Sequence, residues 1–101
     1  LDAVVYPTQP RRPQLIGSPP PEPPGGGARN PVNLANLTGF PDLIVPAGFT
    51  ANGLPVTMSF LGTAFSEGKL LELGYSFEQA TRGRRLPVNT PRLNDEKVRV
   101  P

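Results

Sequence analysis

The sequence predicts an α/β fold of about three strands, one long C-terminal helix and one short helix, with a proline-rich loop between the first strand and the rest. Three observations lead there. Apolar runs of strand length lie at residues 2–6, 43–45 and 56–61. Residues 66–82 repeat their apolar side chains at helical spacing. Nine of the fifteen prolines fall between positions 7 and 31, where fixed φ angles and missing donors leave room for neither a helix nor a central strand.

Each element has its own local justification. Residues 2–6 (DAVVY) form a continuous apolar run that stops at Pro7, the pattern of a strand buried on both faces in a parallel sheet. Residues 9–29 form the Pro/Gly-rich loop, longer than a compact domain ordinarily carries without function or disorder. Asn30 and Pro31 suit the cap and first position of a short helix that ends at Gly39, with Val32, Leu34 and Leu37 as its apolar face. Residues 43–45 form a second buried strand. Asn52-Gly53 is a turn signal, since both residues tolerate positive φ. In the third strand Val56, Met58 and Phe60 share one face, and Thr57, Ser59 and Leu61 share a mixed one.

The long helix carries the strongest pattern. Ser66 is the expected N-cap, with Phe65 and Leu70 placed for a hydrophobic staple. Leu70, Leu73, Phe77 and Ala80 form the buried stripe. Gly83 suits the stop, and Arg82, Arg84 and Arg85 complement the negative end of the helix dipole. Residues 88–101 read as an extended tail. So few elements give little core to set against backbone ordering, which costs about 1–2 kcal/mol per residue. We therefore expect this segment to complete a larger sheet.

Composition excludes several functions. The 101 residues contain no Cys and no His, which removes disulfides, thiolate nucleophiles, His-based triads and zinc sites built on these residues; no metal or cofactor is implied. Ten basic against eight acidic residues argue against nucleic acid as a partner. The absence of a long apolar run argues against a membrane span. The chain begins with Leu1 rather than Met, from which we expect it to be processed, truncated or observed in part. With no signal-peptide pattern at Leu1, a cytoplasmic location is expected.

A resemblance adds to this reading. The stretch Asn36-Leu-Thr-Gly-Phe-Pro-Asp-Leu-Ile-Val-Pro-Ala-Gly-Phe-Thr50 is followed by Asn52-Gly-Leu-Pro-Val56, Phe60-Leu-Gly62, Phe65-Ser-Glu67 and Tyr75-Ser-Phe-Glu-Gln-Ala-Thr81. In order and spacing this resembles the C-terminal part of the amidase-signature family over residues 30–87, and residues 2–8 resemble a strand those enzymes carry slightly earlier. The resemblance implies one large mixed sheet flanked by helices. It also implies amide hydrolysis by a nucleophilic serine, activated through a second serine and a lysine, with backbone donors for the oxyanion. No residue of this chain matches those catalytic positions. Gly25-Gly26-Gly27 contains no serine, and neither Lys69 nor Lys97 matches the family lysine.

The implied contribution is structural and substrate-lining. The helix before Gly-x-Pro lies beside the acyl pocket in that family, which nominates Val32, Asn33, Asn36, Leu37 and Phe40; the simpler role for each is core or cap. Pro7 and Thr8 follow a strand, and ligands in α/β sheets gather at the C-terminal ends of strands. The expected partners are the upstream part of the same amidase and a small amide substrate, with assembly into a homo-oligomer left open. Two alternatives stand beside this: the amidase subunit of a tRNA-dependent amidotransferase, and a small module presenting its prolines to an SH3- or WW-type groove.

Other motifs reduce to structure. Ser66-Glu-Gly-Lys69 has the Ser-x-x-Lys spacing of penicillin-binding enzymes without their companion motifs. Asn36-Leu37-Thr38 is a glycosylation sequon inside a structural motif. Residues 20–24 and 10–13 read as surface loop, or as a lid over a site mouth. Glu72 and Glu78, six apart, do not share a helix face.

Overall fold

The computed structural model describes residues 1–10, 13–19 and 32–90. Its elements are β1 (Val4–Pro7), α1 (Val32–Thr38), β2 (Asp42–Phe49), β3 (Pro55–Leu61) and α2 (Glu67–Thr81). The strands form one sheet in the order β1-β3-β2. Both pairings are antiparallel, so β1 and β2 run in the same direction on either side of β3. The α/β class and the element count agree with the sequence reading. The expected proline-rich segment at 20–24, the cap at Asn30-Pro31 and most of the tail lie outside the described residues.

The register assigns the faces. Val4, Leu61 and Asp42 stand in one row, and Tyr6, Ser59 and Ile44 in the next. These rows share a face because side chains alternate along a strand and opposed residues point the same way. The other face carries Leu43, Val45, Met58 and Phe60, and α2 covers it. The core is Val45, Phe60 and Leu70, with Ala3, Leu43, Met58, Leu73 and Phe77 packed against them. Phe60 and Phe77 meet edge to face with centroids 5.6 Å apart. Gly74 lies buried where a Cβ would sit 2.3 Å from Leu43 Cδ2, so its missing side chain lets α2 lie close on β2.

Several local expectations are corrected. The strands of residues 2–6 and 43–45 are not buried on both faces. Val4 and Val5 are both exposed, and in β2 Val45 is buried while Ile44 is open. The pairing is antiparallel, and among the described residues a single helix, α2, covers one face. The second strand also runs on through Pro46 and Gly48, which read as breakers in the sequence. Pro46 is tolerated because β2 is an edge strand, and a register shift between Pro46 and Gly48 absorbs Ala47 as a bulge, with Gly48 at φ +147°.

At the hairpin only Gly53 takes positive φ, at +78°. Thr50 N–H donates to the Leu54 carbonyl (2.8 Å) and Gly53 N–H to the Thr50 carbonyl (2.9 Å). This is a three-residue loop with its glycine in the left-handed position.

The start of α2 differs most. Ser66 makes no side-chain cap bond; its Oγ donates to the Thr63 carbonyl (2.7 Å). Phe65 has φ +61° and is 95% exposed, so no staple to Leu70 forms. At the other end Arg82, not Gly83, is the left-handed residue, and its N–H donates to the Glu78 carbonyl (2.8 Å). Gly83 instead lies against β2 backbone, where a Cβ would come within 3.1 Å of Pro46 O and Ala47 C. Arg85 stacks over the Phe49 ring at 5.2 Å rather than facing the helix end. Ala80, expected in the buried stripe, is exposed.

Candidate functional site

The sequence-nominated residues fall into two groups at opposite ends of the sheet. Pro7 pairs with Met58, and Thr8 extends β1 by donating its N–H to the Thr57 carbonyl (3.1 Å). The α1 group lies near Leu61, four residues further along β3, or about 13 Å away at strand rise. Within the described residues they do not meet in one pocket.

At the first end Thr8 Oγ1 and Ser59 Oγ lie 2.9 Å apart, and both residues are buried. A hollow of about 500 Å³ adjoins them, lined by Gln9, Pro10, Pro13, Leu54, Val56 and Thr57 among others. Neither Pro7 nor Thr8 is among the residues that line it.

At the second end a hollow of about 280 Å³ is lined by Val4, Leu34, Thr38, Phe40 and Leu61, with the chain start and residues 62–63. Phe40 is the one nominated residue on its wall. Asn33, Asn36 and Leu37 are exposed on α1, Leu37 at 86%, and none of them lines this hollow. Val32 belongs to α1, but its side chain is outside the description. The nominations missed Leu34 and Thr38. Their four-residue spacing on a helix was the available signal, since it puts both on one face. Thr38 also donates from Oγ1 to the Leu34 carbonyl (2.7 Å).

Between the two ends lies a feature that the sequence did not announce. The Tyr6 hydroxyl, from β1, donates to Asp42 Oδ2 on β2. The side chain therefore crosses β3, which accounts for the near-complete burial of Ser59 and Leu61 beneath it. Burial, then the bond to Asp42, pushes the Tyr6 hydroxyl above its ordinary pKa, while Ser59 pulls the other way. The second carboxylate oxygen, Asp42 Oδ1, is buried and has no hydrogen-bond partner among the described residues.

Among the described residues neither the Ser59 nor the Ser66 hydroxyl is set up as a nucleophile. Activation needs an adjacent base, and Ser59 faces the Thr8 hydroxyl. Ser66 is bonded to a carbonyl, and Lys69 pairs with Glu72 at 3.5 Å, so the Ser-x-x-Lys spacing assembles no dyad. The geometry here positions strands and lines hollows.

Comparison with known proteins gives these features a context. The family model described as Amidase matches residues 1–71. A glutamyl-tRNA(Gln) amidotransferase subunit from Desulforudis audaxviator is 42% identical over 93 residues, covering 90% of this chain and 19% of that protein. The protein of the same name from Lactiplantibacillus plantarum is 54% identical over 52 residues, covering 52% and 10%. An Arabidopsis thaliana protein named as a probable amidase is 49% identical over 51 residues, covering 50% and 10%. The chain thus spans about a fifth or less of the length of these relatives. No solved structure matches it.

Proposed function

Because the chain belongs to the Amidase family, we propose that it is the C-terminal structural and pocket-lining part of an amidase that hydrolyses carboxamides. The serine nucleophile and its lysine and serine partners lie, on this reading, in the portion of the enzyme outside this chain. In the reaction the serine oxygen attacks the amide carbonyl and the amine or ammonia leaves with a proton. Water then releases the carboxylate and restores the serine. The match over residues 1–71 carries the reading, and the small share of each relative that the chain covers supports placing the chemistry elsewhere.

The α1–β1 hollow is the part of this chain we assign to substrate lining, with Phe40, just after α1, on its wall; the same proposal keeps Val32, Asn33, Asn36 and Leu37 of α1 as lining residues, the exposed Asn33, Asn36 and Leu37 toward the rest of the enzyme. Pro7 and Thr8 are assigned, on the same reading, to the mouth of the site at the other end of β1, beside the hollow that begins at Gln9. The divisions at 1–8, 9–29, 30–87 and 88–101 are part of the same proposal. No helix among the described residues is long and apolar enough to cross a membrane, and we assign the enzyme to the cytoplasm.

A second reading is favoured by the names of several relatives: the amidase subunit of a tRNA-dependent amidotransferase. The parent protein, purified alone, separates the two. Release of ammonia from simple carboxamides without partner subunits supports the first. Activity only with co-purifying subunits and charged tRNA supports the second. A full-length protein inert in both assays overturns both.

A further inference from the structure

We propose that Asn52 is a site of spontaneous deamidation and that the β2–β3 loop is its gate, whatever reaction the parent protein performs. Of the six asparagines in the sequence, Asn52 alone precedes a glycine. Gly53 has no Cβ to shield its amide nitrogen, and nothing stands within 4 Å of the place a Cβ would occupy. Ala51, Asn52 and Gly53 are all exposed at the tip of the hairpin, so water reaches the reacting atoms and ammonia can leave.

The chemistry needs only water. The Gly53 nitrogen gives up its proton and bonds to Asn52 Cγ. The Cγ–Nδ2 bond breaks, and that nitrogen leaves with the proton as ammonia. Water then opens the succinimide ring at one of its two carbonyls. Opening at Cγ gives aspartate. Opening at the main-chain carbonyl gives isoaspartate, whose main chain runs through the former side chain and is longer by a methylene.

The bonds of the loop hold the first step back. Gly53 N–H donates to the Thr50 carbonyl (2.9 Å), Leu54 N–H to Thr50 Oγ1 (3.1 Å) and Thr50 N–H to the Leu54 carbonyl (2.8 Å). The attacking nitrogen must lose a proton that a carbonyl is holding, and must turn toward Asn52 Cγ while its neighbours stay fixed. Cyclisation therefore waits for the loop to open. Isoaspartate keeps the loop from closing in its old form, because the added methylene falls between Thr50 and Leu54, which bond to each other.

The test uses the full-length protein, held at mildly alkaline pH and then digested. Mass spectrometry reads conversion at Asn52, and chromatography separates the aspartate and isoaspartate peptides. Conversion should be about tenfold slower, or more, in the native protein than in urea, since a local opening must precede it. Equal rates overturn the gate. An Asn52 that survives in urea as long as the other asparagines overturns the site. Thr50→Val keeps the shape and removes the Oγ1 acceptor. It should raise the native rate about fivefold, the worth of one hydrogen bond. A wild-type rate for Thr50→Val would assign the protection to some other cover of the loop and overturn the gate. Asn52→Gln has a longer side chain that does not close the five-membered ring. It should abolish the isomeric peptides in urea and in buffer alike, and their persistence would place the modification elsewhere and overturn the site.

Discussion

Gly53 shows how one residue closes the hairpin between β2 and β3. Its φ of +78° lies where a Cβ meets the following carbonyl. Nothing stands within 4 Å of the place a Cβ would occupy, so the conformation is the whole penalty. Gly53→Ala should cost about 1–2 kcal/mol, read as a lower denaturation midpoint with an unchanged slope. Tyr6 makes a different prediction at the same scale. Its hydroxyl is raised above the ordinary tyrosine value of about 10 by burial and by Asp42. The unfolded chain therefore loses that proton first as pH rises, and the folded state holds it longer. The stabilisation is complete below the unfolded value and fades as pH climbs through the folded one. Melting temperature should fall above pH 10 in the parent protein, and Tyr6→Phe should remove the part of that fall due to this group. An alkaline limb identical in the two proteins would contradict the assignment.

Among the elements, α2 carries the packing, and Leu70 is its centre at 2% exposure. Leu70→Ala should cost about 2–4 kcal/mol, since Val45 and Phe60 on the sheet cannot follow the retreating side chain. Far-ultraviolet circular dichroism of the parent protein during denaturation measures it. Gly83→Ala tests the far end of the same helix. A Cβ there meets the backbone of the β2 bulge at three atoms, so a loss of about 1–3 kcal/mol is expected. The 3.6-residue stripe made α2 legible in the sequence, and period-two alternation made β3 legible. Both patterns are local. What escaped was set by neighbours distant in sequence. Pro46 and Gly48 break strands in general, yet β2 runs through them because its outer edge has no ladder among the described residues to disrupt. Ser66 is a good cap by type, yet the turn at residues 63–66 takes its hydroxyl first. Phe40 was nominated through a family resemblance, whereas the Tyr6–Asp42 bridge joins residues 36 apart and has no sequence signature.

For the whole molecule, the question is how much apolar surface one helix and three strands leave open. The buried apolar set among the described residues is Val45, Phe60, Leu61 and Leu70. Against it stand Val4, Val5, Leu34, Leu37, Ile44, Phe49, Leu71 and Tyr75, all exposed on the sheet and helices. A buried side chain of this kind contributes about 1.5–3 kcal/mol, so four of them offset the ordering of only a few residues each. Exposed apolar residues scattered singly need no explanation, but here they line both faces of β1 and the outer side of α2, where Leu71 and Tyr75 sit four apart. The 101-residue chain prepared alone should therefore lack a sharp thermal transition and should bind an apolar dye such as ANS. Joined to the rest of the amidase, the same residues should lose that dye binding and melt with the whole. The pair of measurements separates poor intrinsic packing from missing cover. A cooperative melt of the isolated chain without dye binding would mean that these strands and helices suffice for themselves, and that their exposed apolar side chains need no cover from the rest of the enzyme.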